Sequence, residues 1–124
     1  MLQVKNFLFV ALGGAIGSIL RYAFTFLPFK TFPFSTFLCN LIGSFLLGFL
    51  TGLQNSKNLN NSSMLLLKTG LCGGFTTFST FSLESFNLLK NGEYFLGVSY
   101  SVLSLLLGLL MLALGFVLAK KLSF

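Results

Sequence analysis

"GLCGGFTTFSTFSLESF", Gly70–Phe86, has nearly the length of a membrane crossing but not the composition of an ordinary membrane helix. Gly73 and Gly74 are adjacent, and each costs a helix about 1 kcal/mol against alanine. Thr76, Thr77, Ser79, Thr80 and Ser82 follow, and then the acid Glu84. Backbone freed at membrane depth is tolerated only where protein or a water-filled cavity satisfies it. In transporters such interruptions turn carbonyls towards cations and amide ends towards anions. A kink made for packing alone does not need so many hydroxyls. The stretch therefore predicts a membrane helix broken near its middle, with polar groups placed where lipid would penalise them.

Phe78 and Phe81, three residues apart, fall on nearly the same helix face. Most of the seventeen phenylalanines face lipid by default. A phenyl ring nevertheless has a positive edge, so two edges flanked by hydroxyl and amide donors can hold a small anion without a fixed charge. A full charge would trap the ion, and conduction needs binding weak enough to release.

The flanking sequence is hydrocarbon-like. The chain has 124 residues, 55% of them hydrophobic and 8% charged, and its mean hydropathy is +0.92. Soluble domains carry about 25% charged residues. A helix of about 20 apolar residues crosses the bilayer core. The pattern predicts an all-α integral membrane protein, a single four-helix domain over residues 1–124 with spans at roughly 7–26, 35–53, 64–89 and 95–118. "LPFKTFPF", with Pro28 and Pro33, and "KNGEY" supply turns. The longest polar stretch, Gln54–Ser63, leaves no room for an extramembrane domain. Lys5 before an apolar run also fits a signal peptide, but the run continues to Leu27, which favours a retained helix.

The net charge of +6 comes from Lys5, Arg21, Lys30, Lys57, Lys68, Lys90, Lys120 and Lys121. Most lie between or beside the apolar segments, where they anchor at headgroups. They form no stripe that a nucleic acid could follow. Four spans put both termini on one side, together with Lys5, Lys57, Lys68, Lys120 and Lys121, against Lys30 and Lys90 on the other. That balance leans towards cytoplasmic termini.

Catalytic inventory is thin. There is no histidine, and Glu84 and Glu93 are the only acids. Neither a paired-carboxylate site nor a triad can be assembled, so the chain is read as no enzyme. Cys39 and Cys72 form no CxxC pair and read as small packing residues. Gly13 and Gly17, Gly48 and Gly52, and Gly70 and Gly74 are each four apart, the spacing that lets membrane helices approach closely. A phosphate-cradling role would need a strand before the glycines.

Several polar residues at membrane depth carry two readings each. Arg21 is either a helix-end arginine that snorkels to the interface or a cation at the mouth of an anion path. Asn40 offers two donors and an acceptor and either glues helices together or binds a ligand. Tyr100, Ser104 and Gly108, spaced by four with Ser101 adjacent, form a polar stripe that suits interhelical hydrogen bonds or a pore lining.

"GGAIGSILRY", "NLIGSF" and "GLCGGFTTFSTFSLE", in this order on three successive spans, resemble the Fluc, or CrcB, family of fluoride channels. The resemblance covers the chain from Gly13 to the end of the fourth span. It implies a small four-helix subunit of the cell inner membrane, paired in an antiparallel, dual-topology dimer with a second copy of itself. It also implies two fluoride pores per dimer, one central structural sodium ion and passive export of fluoride from the cytoplasm. By position, Phe78 and Phe81 match the phenylalanines whose edges line the pore, and Asn40 matches the asparagine reaching in from the second helix. Gly73 and Thr76 match the positions whose carbonyls hold sodium. Thr77 and Ser79 belong to the same hydroxyl-rich segment, and Arg21 matches the first-helix arginine of the vestibule. Tyr100 and Ser104 match the polar track of the fourth helix, and Glu84 matches the acid after the motif. Two features depart from the family's pattern. Gly108 lacks a hydroxyl to extend the track, so water or a backbone group must serve there. The charge lean sits uneasily with dual topology and leaves room for an oppositely oriented sister chain.

Two rival readings compete. A proton-coupled small multidrug exporter would need a carboxylate deep in the first span, which has none. A structural membrane subunit without a pore leaves the conjunction of glycines, hydroxyls and phenylalanines without a purpose.

Overall fold

Hydrophobic runs of membrane length become long helices here because a backbone in lipid must satisfy its own polar groups. The computed structural model describes residues 1–28, 31–56 and 59–122; Lys30 and Lys57, two of the lysines in the charge count, lie outside the described residues. Helix α1 is Leu2–Phe24 and α2 is Phe34–Ser56. A third rod follows in pieces: α3 (Asn61–Met64), a π-helical segment (Leu65–Cys72), α4 (Gly73–Phe75) and α5 (Phe78–Lys90). The last helix, α6, is Tyr94–Leu122. Three stretches are long and apolar enough to cross a membrane unbroken: Gln3–Phe24, Phe34–Asn55 and Tyr94–Leu122.

The helices outrun the apolar windows. α1 begins at Leu2 and α6 runs to Leu122, because Gln3, Lys5, Lys120 and Lys121 are acceptable in a helix once it reaches the headgroups. α1 stops sooner than the hydropathy suggests. The Thr25 hydroxyl donates to Tyr22 O at 2.6 Å and Ser35 Oγ donates to Phe24 O at 2.7 Å, closing the turn towards α2. Asn60 caps α3 by accepting from Ser62 N at 3.0 Å. At the other end of the rod, Gly92 takes φ 82°. Gly92 N donates to Leu89 O at 3.1 Å and Glu93 N to Leu88 O at 2.9 Å. This paired closure is the Schellman stop, which requires a residue free to adopt the left-handed region.

Glycines set two seams. A Cβ on Gly13 or Gly17 would fall on the backbone of the π segment, at Leu66 O and Leu71 O respectively. Reciprocally, a Cβ on Gly70 would lie 2.8 Å from Gly13 Cα. α1 thus runs alongside the first half of the rod, pointing the same way. The second seam joins α2 to α6: a Cβ on Gly48 would meet the Leu112 backbone, and one on Gly115 the Phe45 carbonyl. Such backbone approach replaces the hydrophobic drive that lipid removes. Gly48→Leu should therefore cost at least about 3 kcal/mol, the upper end for overpacking, because the obstructing atoms are main chain. Gly108→Ala is the control: its Cβ would sit 3.8 Å from Ser44 Oγ, an ordinary contact. Thermal unfolding in detergent should separate the two, and equal melting temperatures would contradict this account of the seam.

The interior is small and the exterior greasy. Cys39, Cys72 and Tyr100 are buried, while Leu8, Ile19, Val102, Leu106, Leu109 and many others are exposed. An apolar outside has hydrocarbon as its solvent, and this is a multi-pass membrane protein.

Candidate functional site

The chain leaves helical geometry at Thr76 (φ −83°, ψ 156°) and Thr77 (φ −152°, ψ 123°), between α4 and α5. The glycines are not where it opens. Gly73 keeps helical φ −64° and ψ −37°, and Gly74 is small because Gly14 of α1 lies against it, its carbonyl O 2.5 Å from where a Cβ would be. What allows the extended step is substitution of the lost helix bonds by side chains. Asn40 of α2 clasps Thr77 with both ends of its amide: Thr77 N donates to Oδ1 at 2.8 Å, and Nδ2 donates to Thr77 O at 3.1 Å. Thr77 Oγ1 caps α5 by accepting from Thr80 N at 3.2 Å, and it donates to Thr80 Oγ1 at 3.1 Å. Ser79 Oγ lies 3.3 Å from the same hydroxyl.

This has a consequence for carbonyls. In a continuous helix the amide four residues on closes each carbonyl. Here Thr77 N and Thr80 N, the natural partners of Gly73 O and Thr76 O, are both given to side-chain oxygens. Gly74 O receives Arg21 Nε at 3.1 Å. Arg21 is half-buried and is therefore neither a plain snorkelling side chain nor an unattached cation; one nitrogen is engaged and its remaining donors face a cavity. Not every hydroxyl of the motif is available either. Thr76 Oγ1 donates to Cys72 O and Ser82 Oγ to Phe78 O, both at 2.8 Å, so these two are satisfied by carbonyls four residues back.

A row of rings leads from the step. Phe78 and Phe81 have centroids 5.8 Å apart and planes inclined by 44°. Phe81 and Tyr100 follow at 5.3 Å and 56°. Phe78 is 75% exposed on the single chain, whereas Tyr100 is buried. The Tyr100 hydroxyl donates to Glu84 Oε2 at 2.8 Å, and Thr36 Oγ1 donates to Oε1 at 2.8 Å. Glu84 thus has a hydroxyl on each oxygen. Ser101 is tied to Gly97 O at 2.8 Å and to Ser85 Oγ at 3.1 Å. Ser104 differs: its Oγ is buried and has no hydrogen-bond partner among the described residues.

Two cavities flank the step and share Thr77. One, of about 270 Å³, is lined by Ser18, Arg21, Thr36 and Thr80 among others. The other, of about 360 Å³, is lined by Asn40, Ser44, Lys68, Gly73, Thr76 and Phe78 among others. Asn40, Gly73, Thr76, Thr77 and Phe78 are thereby brought to one place, with Arg21 on the far side of Thr77. Ser79 joins through Thr77, and Phe81 and Tyr100 through the ring row. Ser104 stands one helical turn beyond Tyr100 and makes no hydrogen bond to the others. Sequence reasoning passes over Thr36 and Ser44, and gives Thr80 and Lys68 no place in the site. Thr36, Asn40 and Ser44 recur every four residues on α2, the spacing of one helix face, and that signal was available. The Ser44 hydroxyl is the nearest group to Gly108, 3.8 Å from where a Cβ would sit.

Comparison with known proteins places nearly the whole chain in one family. The family described as "CrcB-like protein, Camphor Resistance (CrcB)" matches residues 8–116. A protein of Desulfotalea psychrophila named "Fluoride-specific ion channel FluC" is 44% identical over 121 residues, covering 95% of this chain and 94% of the relative. A protein of Helicobacter pylori with the same name is 45% identical, with 93% of each covered. One from Ignicoccus hospitalis, also so named, is 42% identical, with 96% of this chain and 98% of the relative covered. A family match over residues 8–116, with relatives 42–45% identical over more than nine-tenths of both chains, means that the chain belongs to the CrcB family.

Proposed function

We propose that the chain is one half of a passive, fluoride-selective ion channel of the cell inner membrane that lets fluoride leave the cytoplasm. The observation that carries this reading is the extended Thr76–Thr77 step, clasped by Asn40 and continued by the Phe78–Phe81–Tyr100 ring row. Asn40 Nδ2 uses one of its two hydrogens on Thr77 O, which leaves a second N–H for an anion. Ring edges at Phe78 and Phe81 and the partnerless hydroxyl of Ser104 add weak donors. None carries a full charge, as conduction requires. Thr77 and Ser79 hydroxyls border the same path, and Arg21 faces its vestibule. The relatives named as fluoride-specific channels support the choice of anion.

A second copy in inverted orientation, or an oppositely oriented sister chain, completes the path in this reading. Gly73, Phe78 and Ser79 lie on the outside of the single chain, where lipid would meet the rod's least helical part, and such backbone needs cover. The rod α3–α5 then serves as a fourth, interrupted membrane span. A twofold axis in the membrane plane brings the two steps together and makes the interface self-complementary. The residues fit a sodium ion there: the carbonyls of Gly73 and Thr76, freed of their helical amides, would hold it, as unwound carbonyls do in transporters. When bound, the ion supplies a fixed positive charge that offsets exposed carbonyl oxygen.

Purified protein in liposomes should release fluoride when a potassium ionophore dissipates the opposing voltage, and release chloride hardly at all. Comparable fluxes of the two halides would defeat the selectivity claim. Fluoride release that needs a proton gradient would favour an exchanger instead.

A further inference from the structure

Lys68 lies in the π segment, and its ammonium donates to Gln54 Oε1 at 2.9 Å. Gln54 is in the last turn of α2, so the charge is held at one end of the bundle rather than at its middle. The same lysine lines the 360 Å³ cavity that also contains Asn40, Ser44, Gly73 and Phe78. Among the described residues, no carboxylate lines that cavity. Glu84 is engaged by Thr36 and Tyr100, and Glu93 sits in the turn before α6. A lysine ammonium has three donors, and the neutral Gln54 amide takes one. Across Thr77, the other cavity has its own cation in Arg21. The α1 seam fixes their relative order, since Gly13 meets Leu66 and Gly70 while Arg21 meets Gly74 further along the rod.

We infer that Lys68, steadied by Gln54, is an anion-recruiting site at the mouth of the cavity that leads to Asn40. Its ligand class is the small monovalent anion, drawn in by charge and selected only deeper, at the step. A flexible ammonium held by a neutral amide is suited to this task. It raises the local anion concentration without the paired geometry that would retain the ion. The inference rests on the anion-channel reading of the same path.

The test is fluoride release from liposomes, measured against fluoride concentration at low and high ionic strength. Lys68→Gln should raise the fluoride concentration for half-maximal flux about fivefold at low salt, the effect of one unit charge near contact in water. The maximal rate should stay unchanged. The difference should shrink towards none in concentrated impermeant salt, because the Debye length falls to about 3 Å at 1 M. Lys68→Arg should retain the wild-type curve. Lys68→Met provides the same comparison if Lys68→Gln does not give a monodisperse protein. An unchanged half-maximal concentration in the neutral variants overturns the inference, as does a lowered maximal rate at every salt concentration, which marks a structural lysine. Absence of fluoride release from wild-type vesicles overturns the channel reading itself, a separate result.

Discussion

Asn40→Asp should reduce fluoride release from liposomes by about a thousandfold while leaving the protein assembled. Aspartate keeps an oxygen for Thr77 N, so half of the clasp survives. The other half inverts. Nδ2, which donates to Thr77 O at 3.1 Å, is replaced by an anionic oxygen facing a carbonyl oxygen, and a full negative charge then stands in the proposed path. Two like charges about 4 Å apart repel by about 4 kcal/mol at an effective dielectric of 20, which is about three decades in occupancy. Asn40→Ala separates the two roles. It leaves a backbone N–H and a carbonyl without partners, at about 1–3 kcal/mol for each buried group. Its melting temperature in detergent should fall, whereas Asn40→Asp should lose flux beyond any loss of stability. Full flux in the aspartate variant would confine Asn40 to holding the step.

Phe81→Ile carries the next largest effect. Phe81 sits between Phe78 and Tyr100, with centroids 5.8 Å and 5.3 Å away, so it is the link on which the row depends. Isoleucine keeps an apolar side chain of related size but has no positive ring edge. Aromatic pairs contribute about 0.5–1.5 kcal/mol each beyond area, so the variant loses some stability but should still assemble. Fluoride flux should fall by at least about tenfold, the equivalent of about 1.4 kcal/mol at the barrier. Phe78→Ile should follow the same direction. Size-exclusion profiles matching wild type, together with normal flux in both variants, would remove the ring edges from the mechanism.

Much of the site was legible because its residues sit close together in sequence. "GGFTTFSTF" contains the step, the α5 cap and two of the three rings, and local spacing places them. The position of the opening was less legible. Gly73 and Gly74 have the lowest helix propensity, yet the chain opens at Thr76 and Thr77. The choice is made by Asn40, 37 residues away, and by the Thr77 hydroxyl, neither of which propensity weighs. The π segment Leu65–Cys72 was not foreseeable, since "LLLKTGLC" has no composition that separates it from an α-helix. Glu84 is legible as the acid after the motif, but its partners Thr36 and Tyr100 are not, because they come from two other helices. Lys68 counted only as a charge near a helix end until Gln54 and the cavity gave it surroundings.

The two glycine seams divide the subunit into two bodies. α1 is packed backbone to backbone against the first half of the rod, and α2 against α6. The extended step is pinned from each: Arg21 of the first body holds Gly74 just upstream, and Asn40 of the second holds Thr77 just downstream. The shape of the step is consequently not its own. It reports the offset between two slabs, as a gauge bolted across a joint reports slip. A substitution at Gly13 or Gly48, away from Thr77, is expected to shift the step by moving one bolt.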